Sequence, residues 1–141
     1  KMIKYILLTT IILLFGSFKA IDINIVGHWK GSDSQEIGEM DFDKDGYFSY
    51  TRNGKKRGGK DFKASDRITS TYYYTYTKSK PYKIDVVVKL NGSDKDETRL
   101  VGIYEVINKN QLKICFNFEG LDRPKNFLST KDIMILNRIG N

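Results

Sequence analysis

Tyr82-Lys83-Ile84-Asp85-Val86-Val87-Val88-Lys89-Leu90 and, further on, Leu112-Lys113-Ile114-Cys115-Phe116-Asn117-Phe118 are the stretches that decide the fold. In the first, Tyr82, Ile84, Val86, Val88 and Leu90 fall on one face and Lys83, Asp85 and Lys89 on the other. In the second, Leu112, Ile114, Phe116 and Phe118 face away from Lys113, Cys115 and Asn117. A period of two with one apolar face is the signature of a strand buried on one side. The same pattern recurs outward from these two stretches. Strands are predicted at Ile25 to Gly31, Ile37 to Phe42, Tyr47 to Asn53, Phe62 to Thr77, Tyr82 to Leu90, Thr98 to Ile107, Gln111 to Phe118 and Asp132 to Ile139, eight in all. Turn chemistry separates them: Asp43-Lys44-Asp45-Gly46, Asn53-Gly54, Gly58-Gly59, Lys80-Pro81, Asn91-Gly92-Ser93-Asp94 and Asn108-Lys109-Asn110. No segment long enough for a parallel crossover intervenes. The expectation is therefore an all-β, eight-stranded antiparallel up-and-down barrel, whose closure leaves no exposed edge. Alternation sends Met40, Phe42, Phe48, Tyr50, Ile68, Tyr72, Tyr74 and Tyr76 inward and Tyr73 outward. Residues 98–107 are apolar on both faces, so alternation assigns them no inside.

The 141 residues make one domain's worth of chain, and their single Cys and single His exclude an intrachain disulfide framework, a multi-cysteine zinc site and paired-imidazole chemistry. Met2 and Lys4 lead into an apolar run from Tyr5 to Phe15, followed by Gly16, Ser17, Phe18, Lys19 and Ala20. This reads as a secretory signal peptide over residues 1–20, cleaved after Ala20, with a mature domain at 21–141 in a secreted or periplasmic location. The run is too short for a permanent membrane span, which needs about 20 residues. Loss of Lys1, Lys4 and Lys19 lowers the formal charge from +7 to +4. So mild a charge on an exported chain argues against nucleic acid as a partner.

Two local patterns carry a resemblance. Gly27-His28-Trp29 opens the first strand, and Arg138 lies near the end of the last. This resembles the first signature of the lipocalin and calycin families. There the Trp plugs the closed end of the barrel and the Arg packs across it, which implies a structural role for Trp29 and Arg138. Guanidinium is suited to that role because it stacks on an indole face while donating to backbone carbonyls. Leu112-Lys113-Ile114-Cys115-Phe116, followed by Asp122-Arg123-Pro124 and Phe127, is similar to the C-terminal signature of a lipocalin-like domain of exported bacterial proteins. That domain implies a fold and a compartment but no assigned chemistry. The likeness spans residues 26–139 in outline and is specific over 112–138.

Other features have plainer readings. Asp41, Asp43, Asp45 and Gly46 mimic the start of a calcium loop, but the twelfth position is Arg52 and the chain continues as strand, so a hairpin turn is expected. Cys115 and His28 lack activating partners in the sequence. No nucleophile elbow is present, so neither an enzyme nor a metal or cofactor is expected. Lys55-Lys56-Arg57-Gly58-Gly59-Lys60 forms a basic loop near the tyrosines at 72–76. The reading favoured by the sequence is a carrier that binds a small apolar or amphiphilic ligand inside the barrel, lined by Met40, Tyr50, Tyr72, Tyr74, Tyr104 and Phe116. The alternative is a packed barrel, with no cavity larger than a few waters, that binds a protein or acidic glycan partner through its basic loops.

Overall fold

Short turns with left-handed residues set the register of the chain. Asn53 and Gly54 both take positive φ (50° and 73°), the geometry of a tight two-residue hairpin turn, and Gly46 takes φ 89° at the end of the Asp43–Gly46 turn. In that turn the Asp43 carboxylate accepts hydrogen bonds from the backbone N–H of Asp45 and Tyr47, so the segment is a hairpin connection. The computed structural model describes residues 22–31, 36–95, 97–128 and 132–141; the signal peptide expected at 1–20 lies outside them.

The described residues form no helix. They build ten strands: β1 (Gly27–Lys30), β2 (Ile37–Phe42), β3 (Phe48–Arg52), β4 (Lys55–Gly58), β5 (Phe62–Ser65), β6 (Ile68–Tyr76), β7 (Lys83–Leu90), β8 (Glu97–Asn108), β9 (Gln111–Asn117) and β10 (Ile133–Gly140). All pair antiparallel in a single sheet of order β4-β3-β2-β1-β10-β9-β8-β7-β6-β5. The first strand therefore sits beside the last, and the sheet curls into a nearly closed barrel. The seam is made where β3 meets β6. Tyr47 bridges Tyr73, the Tyr74 N–H donates to Gly46 O at 3.0 Å, and Gly59 bonds to Phe48 on one side and Tyr72 on the other.

The expected eight strands are thus corrected to ten. Residues 55–58, read as loop, pair with β3 as β4 in the register Tyr50↔Arg57 and Arg52↔Lys55. The single long strand expected at 62–77 is broken at Asp66-Arg67 into the β5–β6 hairpin. Both changes lie beside the seam, where the β3–β4 hairpin meets β6 through the Tyr72 N–H bond to Gly59 O at 2.9 Å. Ile68, expected inside, stands 46% exposed as the first residue of β6, directly after the β5–β6 turn. Tyr73 faces outward as alternation requires, its ring 5.5 Å from that of Tyr47.

The two-faced apolar pattern of β8 also finds its cause. Tyr104 and Leu100 face the interior, while Val101 and Ile103 are buried on the outer surface. Residues 122–127, which follow β9, lie over that surface and are pinned by Arg123. Its guanidinium pairs with Asp85 at 2.6 Å and donates to Gly102 O at 2.7 Å. Burial pushes the Asp85 carboxyl up, but Arg123 and Arg99 outweigh it and hold the group below its ordinary value.

Candidate functional site

The interior divides along the barrel axis into a filled half and an open half. The filled half lies where β1 begins and β10 ends. Ile25, Trp29, Phe42, Tyr104, Leu112 and Leu136 are all essentially without solvent contact there. The indole N–H of Trp29 donates to Ile25 O at 2.9 Å, and Arg138 lies over the ring at 4.2 Å. From that position the guanidinium donates to Val26 O (2.5 Å), Asn24 O (3.0 Å) and Lys109 O (2.9 Å). Gly27 is required by this stack. Its φ is 145°, and a β-carbon there would overlap Nη1 of Arg138. Gly27, Trp29 and Arg138 therefore form one clamp that seals the end of the barrel and ties the chain before β1 onto its last strand.

Tyr74 and Tyr104, expected in a ligand site, belong to this filled half. Each turns its hydroxyl onto a backbone carbonyl: Tyr74 onto Asp43 O at 2.6 Å, Tyr104 onto Thr77 O. Burial, reinforced by neighbouring phenols, pushes both up to about 12. They are satisfied core residues and do not reach the cavity.

The open half holds a cavity of about 230 Å³. Met40, Tyr50, Tyr72 and Phe116, four of the six residues named in the sequence as a ligand lining, border it. The other walls are Val86 and Val88 of β7, Leu100 of β8 and Phe118, with Ile37 and Arg52 at the rim. These had not been singled out. Their signal was present in the alternation of β7, where Val86 and Val88 share a face with the buried Ile84. The aromatic wall is continuous: Phe48 stacks on Tyr50 at 6.0 Å, Tyr50 lies 6.5 Å from Tyr72, and Phe62 meets Tyr72 edge-on at 5.8 Å. Unlike Tyr74 and Tyr104, the half-buried Tyr50 and Tyr72 make no hydroxyl hydrogen bond among the described residues. Burial and the adjacent Tyr50 phenol raise the Tyr72 hydroxyl, while Arg57 pulls it down. The site thus presents apolar walls, two free hydroxyls and a cation at the rim.

No protein family, curated protein or solved structure matches this chain. The chemistry of the cavity has to be read from its own walls. At about 30 Å³ of liquid volume per water, 230 Å³ corresponds to some seven or eight waters, and apolar cavities of about 150 Å³ already bind benzene. The space suits a single ring or a short chain more than a drug-sized molecule, for which pockets begin near 300 Å³.

The remaining reactive groups lie elsewhere. Cys115 is buried on the outward face of β9, and burial together with the Asp132 carboxylate raises its thiol, which opposes thiolate formation. His28 is on the outside of β1, its Nε2 3.0 Å from Glu39 and its Nδ1 3.6 Å from Asp41. Neither group reaches the cavity.

Proposed function

We propose that this protein is an exported, lipocalin-like binding protein, not an enzyme, that carries a compact apolar or amphiphilic molecule in the open half of its barrel. The observation that carries the reading is the apolar 230 Å³ cavity bounded by Met40, Tyr50, Tyr72, Val88, Leu100 and Phe116. A barrel working only through its surface has no need of such a space, and filling it with larger side chains would stabilise the fold. The lipocalin-like assignment draws its support from the Gly27, Trp29 and Arg138 clamp, and export from the charged and apolar pattern of residues 1–20.

A second reading is favoured by one feature, the concentration of Lys and Arg on the β3–β4 and β5–β6 hairpins: a surface module for an acidic glycan or a protein. Native mass spectrometry of the protein recovered from the secreted or periplasmic fraction separates the two. The expected species has the mass of residues 21–141 plus a stoichiometric small molecule that organic extraction releases. A bare chain that stays bare after incubation with a lipid and metabolite extract would overturn the carrier reading in favour of surface binding.

A further inference from the structure

The charge of the domain is concentrated beside the cavity mouth. Residues 52–67 hold seven Lys and Arg against Asp61 and Asp66, a net of +5, which exceeds the +4 of the whole chain after Ala20. The hairpin register decides where these cations point. Residues directly opposite each other in an antiparallel pair share a face. Tyr50 and Arg52 line the cavity, so Arg57, opposite Tyr50, and Lys55, opposite Arg52, stand on that same inner face. The effect of Arg57 on the Tyr72 phenol agrees with this placement. Lys56, opposite Thr51, faces outward and meets Asp41 at 3.8 Å. Among the described residues, Arg52, Lys55 and Arg57 have no carboxylate partner.

Three cations on the inner face beside an apolar hollow, without a carboxylate partner among the described residues, and the unbonded Tyr50 and Tyr72 hydroxyls define a complementary molecule. We infer that the guest is a small amphiphile with an anionic head, a carboxylate or a phosphate. Its apolar part fills the cavity, and its head sits among Arg52, Lys55 and Arg57 with hydrogen bonds from Tyr50 and Tyr72. This rests on the carrier reading and names the chemical class of its ligand. Guanidinium is well matched to the task, because it offers paired donors to either oxyanion in one plane.

Calorimetric titration of the protein with octanoate, octyl phosphate and octan-1-ol tests it, the three sharing a tail and differing in the head. One or both anions should bind roughly tenfold or more tighter than the alcohol, as charge-assisted bonds imply. The stronger anion identifies the head. High salt and the Arg52→Gln, Arg57→Gln double variant should each narrow the gap between the anions and the alcohol; the salt series on the parent protein does not depend on how the variant folds. Equal binding of all three ligands overturns the head-group inference and leaves the cavity reading standing. Binding of none overturns the cavity reading and this inference with it. Anion binding that persists undiminished in Leu100→Trp, whose indole would occupy the hollow, places the ligand on the outer surface and overturns both.

Discussion

Arg138→Ala should unlatch the sealed end of the barrel, and the size of the effect follows from the three carbonyls it releases. The bond to Val26 O is partly buried, and losing a charged donor there costs about 1.5 kcal/mol. The bonds to Asn24 O and Lys109 O are solvent-exposed, so water replaces the donor and each counts for about 0.5 kcal/mol. The stack on Trp29 adds about 0.5 to 1 kcal/mol. The total, about 3 kcal/mol, is a large share of the 5–15 kcal/mol typical of a small domain, and corresponds to a melting point lower by on the order of 10 °C. Trp29 is the single tryptophan, so its fluorescence reports from inside the clamp. The variant should show both an earlier denaturant midpoint and red-shifted emission, because residues 24–26 lose their tether and Ile25 its seat against the indole. Arg138→Lys should behave nearly as badly, since an ammonium cannot lie flat on the ring and serve three carbonyls. An unchanged midpoint with unchanged emission in Arg138→Ala would refute the clamp.

Gly102→Ala should cost about 1–3 kcal/mol in chemical denaturation, because its β-carbon would lie 2.6 Å from Phe116 Cδ1 and 2.7 Å from Cys115 O; a neutral result would mean β8 and β9 separate more easily than their register implies. Asp85 is held below its ordinary 3.8 in the fold, so its contribution is complete at higher pH and is lost as the pH falls below that value. Asp85→Asn should therefore flatten the acid limb of the stability curve, and an unaltered limb would show that the Arg123 and Arg99 pairs do not matter there. Tyr74 and Tyr104, raised to about 12 by burial, stabilise the fold below pH 10 and cease to do so as the pH climbs from 10 through 12. The Tyr74→Phe, Tyr104→Phe pair should delete the latest component of the tyrosinate absorbance titration, and its persistence would assign that component to other tyrosines.

Strand positions, the meander and the pairing of Trp29 with Arg138 were legible because each rests on local chemistry: alternation, turn residues, a cation facing an indole across two neighbouring strands. What escaped was set by the third dimension. Lys55-Lys56-Arg57-Gly58 contains no apolar residue, so β4 has no periodic signal; it exists because the Asn53-Gly54 turn folds it back along β3. Asp66-Arg67 lacks Gly or Pro, so the break between β5 and β6 was invisible. Alternation placed Tyr74 inside correctly, but it reports a face and not a depth along the barrel axis. Depth decides that Tyr72 borders the cavity while Tyr74, two residues on, is locked to Asp43. The burial of Val101 and Ile103 likewise depends on Arg123, twenty or more residues away in sequence.

The separation of a filled half from an open half has an evolutionary reading. The clamp residues lie on β1 and β10 and the cavity-lining residues on other strands, so in the carrier reading selection on one set leaves the other nearly untouched. Val88, Leu100, Arg52 and the β3–β4 and β5–β6 hairpins can then be exchanged while Gly27, Trp29 and Arg138 hold the scaffold in place. Descendants of this chain should accordingly diverge fastest at the mouth, and the same asymmetry makes that end the place to randomise when a compact binder for another small molecule is wanted.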